Sequence, residues 1–257
     1  MTNPFLDAAF FITAYMVSWF IIAFIKKDNS VVDATWGLGF VGVAWIMQWL
    51  YLDGWVLPII MVSLWGLRLS GYLFIRWIRS EREDWRYTKM RESWKGNIVL
   101  QSFLKVFVLQ GVLMWIIALP IIQTTQPEGV PNFLRIPGLI LFTTGWLWQS
   151  IADWQLFQFK SNRKNKGKIL TTGLWKFSRH PNYFGEILVW WGIFLVATPF
   201  GNWWISLLSP LLITFLLTRV SGVTMLEAKM KKHPEYAEYM KGTNALIPNF
   251  CNVLSFF

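Results

Sequence analysis

Apolar runs close to 20 residues long recur along the whole of this 257-residue chain. A bilayer core takes roughly 20 helical residues to cross, so each run is long enough to span a membrane. Charged residues make up 15% of the chain, against about 25% in soluble domains. The 18 Trp and 21 Phe are a heavy aromatic load even for a membrane protein. The sequence therefore predicts an all-α, polytopic integral membrane protein without a soluble domain, in contact with the lipid bilayer.

Spans are predicted at about 5–25, 31–52, 55–77, 98–122, 135–158, 183–198 and 203–220. The segments between them then alternate in charge. Residues 1–4, 53–54, 123–134 and 199–202 contain no Lys or Arg, whereas 26–30, 78–97, 159–182 and 221–257 contain nearly all of them. Lys and Arg bias sets orientation. The expectation is seven spans with the N-terminus outside and the C-terminus cytoplasmic, in a bacterial inner membrane. The net charge of +10 is accounted for by this one-sided distribution, so no nucleic-acid partner is expected. The first run has no basic segment before it and no small-residue cleavage site, and Lys26 and Lys27 follow it. It reads as a retained helix. The lone Cys251 excludes an internal disulfide. The tail EAKMKKHPEYAEYMKG spaces Met225, Leu226, Met230, Tyr236 and Met240 as an apolar stripe, which predicts a short amphipathic helix on the cytoplasmic surface; a solvated charged tail is the alternative.

Ionisable residues inside spans are costly and usually face a cavity, a bundle interior or a partner. Here they are Asp33, Arg68, Asp153, Glu186 and Arg219, with Gln149 beside them. Asp33 opens the second span, either as a carboxyl group facing a pocket or as a first-turn acid complementing the helix dipole. Arg68 lies deep in the third span and needs an anion; Asp33 on the neighbouring antiparallel span is the expected partner, in a functional or a purely structural ion pair. Gln149 and Asp153 are four apart and share a helical face, which continues to Lys160 and Arg163. That gradient from amide to carboxylate to basic loop suits a long ligand with a polar ring at one end and phosphates at the other. The positive-inside rule explains the loop KSNRKNKGK equally well, but it does not explain Asp153.

In SRHPNYFGE, residues 178–186, Ser178 or His180 can cap a helix whose first residue is Pro181, a favoured position. Asn182 and Glu186 then share one face. A helix N-terminus beside Arg179 is a natural phosphate site; an elaborate cap with a charge pair is the bland reading. Two His and one Cys show no metal-ligand spacing. Neither a nucleophile elbow nor a dinucleotide GxGxxG precedes a helix. A cofactor would have to sit among the cytoplasmic ends of the helices.

GLWKFSRHPNYFGEILVWWGIFL resembles the C-terminal signature of the steroid 5-alpha-reductase superfamily, and within it the bacterial branch catalogued as a domain of unknown function. The resemblance extends to DATWGLGF, WGLRLSGYL, EDWRY, ADWQLFQFK and EAKM…HPEYAEY…ALIP. It implies seven transmembrane helices, NADPH held by the C-terminal helices, and reduction of a conjugated carbon–carbon double bond in a lipid-like or steroid-like enone. On the matching positions it implies cofactor contacts at Gln149, Asp153, Lys160, Asn182, Glu186, Arg219 and Glu227; Arg163, Arg179, His180 and Tyr183, in the adjoining loop and helix head, complete the expected cofactor-binding set. It also implies a single membrane domain over 1–257, with substrate-side helices in 1–130 and cofactor-side helices in 131–257.

The chain departs from the family on the substrate side. Steroid-reducing members pair a Gln-Glu in the second span with a Tyr in the third, whereas this sequence offers Asp33, Arg68 and Tyr72 as candidates to polarise or protonate the substrate. If Arg68 holds Asp33 ionised, Arg68 or Tyr72 becomes the better polarising group. RHPxYxGE also occurs in membrane methyltransferases acting on isoprenylcysteine, so an S-adenosylmethionine-dependent methyltransferase is the alternative. A non-enzymatic lipid-binding or transport protein is a further one, although no internal repeat supports it.

Overall fold

The computed structural model describes residues 3–51, 56–80, 82–126 and 133–249; Cys251 and much of the segments at 53–54 and 123–134, which lack Lys and Arg, lie outside them. The described residues are helical, with no β-structure beyond an isolated bridge between Ser178 and Asn244. The chain divides into two compact units, residues 1–133 with 197–209, and residues 134–196 with 210–257.

In the first unit, α1 (Pro4–Lys26) starts where the Asn3 side chain accepts the Phe5 N–H and Pro4 supplies a preset φ. It ends at Lys27, which takes a left-handed φ of 55°. Helices α2 (Val31–Leu50) and α3 (Val56–Ile78) cross at Gly37 and Gly66. A Cβ added at Gly37 would lie 2.5 Å from the Gly66 carbonyl oxygen. The WGLG and WGLR stretches thus supply the small face that membrane helices use for close packing. Beside the crossing, Phe40 and Trp65 are buried edge to face, their centroids 5.5 Å apart. A short α4 (Trp85–Glu92) begins at Asp84, whose carboxylate caps the Arg86 N–H. Next come α5 (Ile98–Ser102), a π-helical stretch Phe103–Val108, α6 (Leu109–Ile117) and α7 (Leu119–Gln123).

The second unit contains α8 (Arg135–Ser161), α9 (Pro181–Ala197), a π-helical stretch Leu216–Val220, α11 (Val223–Met230) and α12 (Tyr236–Gly242). The π-helical stretch continues α10 (Trp203–Phe215). Helices α8 and α9 press together on two glycines each, spaced by seven: Gly138 meets Gly192, and Gly145 meets Gly185. A Cβ at Gly145 would lie 2.6 Å from the Gly185 oxygen, and one at Gly185 2.6 Å from the Gln149 nitrogen.

Among the described residues, five helices are long and apolar enough to cross a membrane: Pro4–Lys26, Val31–Leu50, Val56–Ile78, Ile98–Ile117 and Trp203–Met230. The predicted spans at 135–158 and 183–198 are helices but fall outside that set. Pro181–Ala197 has only 17 residues, and Arg135–Ser161 carries Arg135, Asp153 and Lys160 among its polar side chains. The tail differs from both expectations made of it. It is neither a lone surface helix nor a solvated run, because Tyr236 is buried and the residues after α12 pair with the segment before α9. His233 and Pro234 fall between α11 and α12, where the single predicted stripe breaks.

Candidate functional site

The glycine contacts bring the polar faces of α8 and α9 into register. The Gln149 amide donates to the Glu186 carboxylate, and one turn along the Asn182 amide donates to Asp153 at 3.2 Å. Trp190 Nε1–H donates to the other Glu186 oxygen at 3.2 Å. The result is an amide–carboxylate ladder between two helices. Gln149 is 4% exposed, Asp153 4% and Glu186 6%. The four residues singled out from the sequence at this position are therefore brought together. Trp190, four residues beyond Glu186, was not singled out; its helical spacing was the available signal.

At the head of α9, Pro181 is the first helical residue, as expected. Ser178 Oγ accepts the His180 N–H at 3.1 Å and donates to the Leu246 carbonyl at 2.8 Å. The His180 ring stacks on Tyr183, with centroids 5.5 Å apart and planes 5° from parallel. Its Nε2 lies 3.6 Å from Glu227 Oε1 and makes no hydrogen bond among the described residues. Burial holds the His180 pKa down to about 4; Glu227 pulls it upward, and Arg179 pushes it further down. The imidazole is therefore neutral at pH 7.

Arg179 does not stand ready for a phosphate. Its Nε and Nη2 donate to Glu227 Oε1 at 2.8 and 2.6 Å, and its Nη1 donates to the carbonyls of Met240 and Thr243. The guanidinium side chain is 8% exposed and faces the tail. Glu227, expected in the wall with Arg219, is instead the acid that binds Arg179. Arg219 lies exposed on the π-helical stretch. Lys160 and Arg163 are exposed at the end of α8 and just after it.

In the first unit the expected Asp33–Arg68 pair is replaced. Asp33 Oδ2 accepts from Arg86 at 2.5 Å and Oδ1 accepts from the Tyr87 hydroxyl at 2.7 Å. Gln110 donates to the same hydroxyl at 3.2 Å, and Arg86 also holds Asp84 at 2.9 Å. The loop before α4 folds back to the head of α2, where the Asp84 N–H reaches Ser30 Oγ, so a cation from the first turn of α4, rather than one from α3, reaches Asp33. Burial pushes the Tyr87 hydroxyl well above its usual range, with Asp33 adding to the shift. Burial works against the Asp84 carboxyl charge, but hydrogen bonding and charge from Arg86 outweigh it and lower the pKa. Arg68 and Tyr72 are half-buried on α3. EDWRY was legible as a motif, but its residues carried no assigned role; only the placement of the loop and the first turn of α4 gives them one.

The sequence profile of the family described as "Protein of unknown function (DUF1295)" matches residues 19–243. The chain belongs to the DUF1295 family. A curated relative in the fungus Ustilaginoidea virens, named "Probable O-methyltransferase ustE", is 30% identical over 126 residues. The match covers 46% of the DUF1295 chain and 44% of that protein, so the chain spans less than half of the relative's length. No solved structure matches. DUF1295 is a steroid 5-alpha-reductase-like group, and its profile covers the α8–α9 ladder, Arg179 and Glu227 together.

Proposed function

We propose that this DUF1295 protein is a membrane-embedded, NADPH-dependent reductase of a conjugated double bond in a lipid-like or steroid-like enone. The carrying observation is the ladder of the buried Gln149, Asp153 and Glu186 with the half-buried Asn182. Four hydrogen-bonding side chains at the interface of two tightly packed helices are more than packing requires, and Gln149 Oε1 has no hydrogen-bond partner among the described residues. An unsatisfied buried acceptor is costly and suits a ligand donor such as a carboxamide N–H or a ribose hydroxyl.

The residues fit NADPH at its ring and ribose end. Asp153 and Glu186 can accept from hydroxyls, and Gln149 and Asn182 can exchange hydrogen bonds with an amide. Phosphates would fall to the exposed basic segment from Lys160 onward, because Arg179 is engaged by Glu227. When bound, NADPH supplies the hydride. An enone develops negative charge on its carbonyl oxygen during reduction, and a donor or cation there lowers the barrier. Arg68 and Tyr72, one turn apart on α3, are the candidates for that task. Asp33 is a poor candidate acid, because both of its oxygens already accept from the protein.

The second reading, an S-adenosylmethionine-dependent methyltransferase, is favoured by two observations. The relative named above is called an O-methyltransferase, and the ladder is rich in carboxylates, which suit a cationic sulfonium. A thermal-shift titration of the detergent-purified protein separates the two. Ligand at 100 times its Kd stabilises by about 2.7 kcal/mol. The reductase reading expects a shift with NADPH and none with S-adenosylmethionine, and at least a tenfold loss of NADPH affinity in Asp153→Ala. A shift with S-adenosylmethionine alone would overturn it.

A further inference from the structure

The hydrogen bonds around Arg179 tie the C-terminal tail to the head of α9. The Arg179 backbone N–H donates to the Asn244 carbonyl at 2.9 Å, and the Asn249 N–H donates to the Phe177 carbonyl at 2.9 Å. The Tyr239 hydroxyl donates to the Trp175 carbonyl, and Trp175 Nε1–H reaches the Ala152 carbonyl on α8 at 3.2 Å. The tail therefore closes on the 175–179 segment, and that segment closes on α8 next to Asp153. At the centre, one guanidinium joins Glu227 of α11 to two carbonyls at the end of α12. Arginine suits this junction because its planar fork can serve several acceptors at once.

We infer that Arg179 and Glu227 are positioning residues: they latch the tail onto the loop before α9, and through that loop hold His180 and Asn182 in place for the ligand. This rests on the cofactor site proposed above and adds the tail to it. Neither residue touches the ligand. Arg179 acts through Glu227 and the tail carbonyls, and Glu227 also stands beside His180 Nε2. The latch differs from a phosphate anchor in one respect. A cation on a phosphate makes binding salt-sensitive, whereas a latch with its charge already neutralised does not.

The test uses the full-length protein in detergent, with Arg179→Gln, Glu227→Gln, the double variant, and Tyr239→Phe as a milder change. Hydrogen–deuterium exchange of residues 174–180 is read without ligand, and NADPH affinity is read at low and high salt. The latch predicts faster exchange in each single variant and no further increase in the double variant. It also predicts at least a fivefold loss of NADPH affinity in both charge variants, with wild-type salt dependence retained. Tyr239→Phe should move both readouts in the same direction by less. Weakened salt dependence in Arg179→Gln, with NADPH affinity unchanged in Glu227→Gln, would make Arg179 a phosphate ligand and overturn the latch. If the wild-type protein gives no shift with NADPH, the cofactor reading fails while the exchange measurement still decides the latch; unchanged exchange in the variants overturns it.

Discussion

Asp33 and His180 show what single side chains contribute here, in opposite ways. Asp33 is bound on both oxygens, and its side chain is 21% exposed against 26% for Arg86. Asp33→Asn should cost roughly 1–3 kcal/mol, because it weakens a partly buried charged hydrogen bond and leaves Arg86 short of a partner. Denaturant unfolding in detergent measures this; a change within a few tenths of a kcal/mol would mean that the pair is idle. His180 is buried and neutral. Its pKa of about 4 in the folded protein lies below the usual 6.5. Between those values the unfolded chain binds the extra proton, so stability should be full above about pH 6.5 and decline as the pH falls towards 4. The full loss is roughly 3 kcal/mol. In His180→Gln that part of the acid limb should disappear from a series of unfolding curves; an unchanged limb would assign it to other groups.

Glycine decides how closely the elements approach. At Gly145 and Gly185 a methyl group would meet backbone at 2.6 Å, whereas at Gly71 nothing lies within 4 Å. Gly145→Ala should force α8 and α9 apart and cost about 1–3 kcal/mol, the usual scale of overpacking. It should also weaken ligand binding, because the Gln149–Glu186 and Asp153–Asn182 bonds depend on that approach. Gly71→Ala, on an open face of α3, should be neutral or stabilise by about 0.5–1 kcal/mol. Thermal unfolding of the two variants side by side is the measurement. Similar effects from both would show that the close approach carries no weight.

For the whole molecule, the distribution of Lys and Arg predicts that the 159–182 segment and the tail face the cytoplasm. With Cys251 replaced by Ser, single cysteines placed at Lys164 and at Asn3 should label from opposite sides of the membrane, Asn3 from outside. Labelling of both from one side would mean an odd change in the number of crossings. The latch adds a second expectation at this scale: truncation after α11 should speed exchange in 174–180, although that segment is far away in sequence.

Much of the helical plan was legible in the sequence, because helix-forming apolar runs are a local property. Runs of about 20 residues and Pro181 at a helix start each state their structure within a few neighbours. The ladder was half legible. Helical spacing put Gln149 with Asp153 and Asn182 with Glu186, but only the packing of α8 on α9 paired the two sets. Which charges pair was not legible. Asp33 had cations available on α3 and in the loop before α4, and proximity in the span order favoured Arg68. The placement of α4 chose Arg86. Likewise the sequence left Arg179 either as a phosphate-binding cation at a helix terminus or as part of a cap with a charge pair, and the return of the tail committed it to Glu227. Residue type and periodicity are written along the chain, whereas the partner of a long side chain depends on which distant backbone comes within a few ångströms of it, and tertiary structure alone decides that.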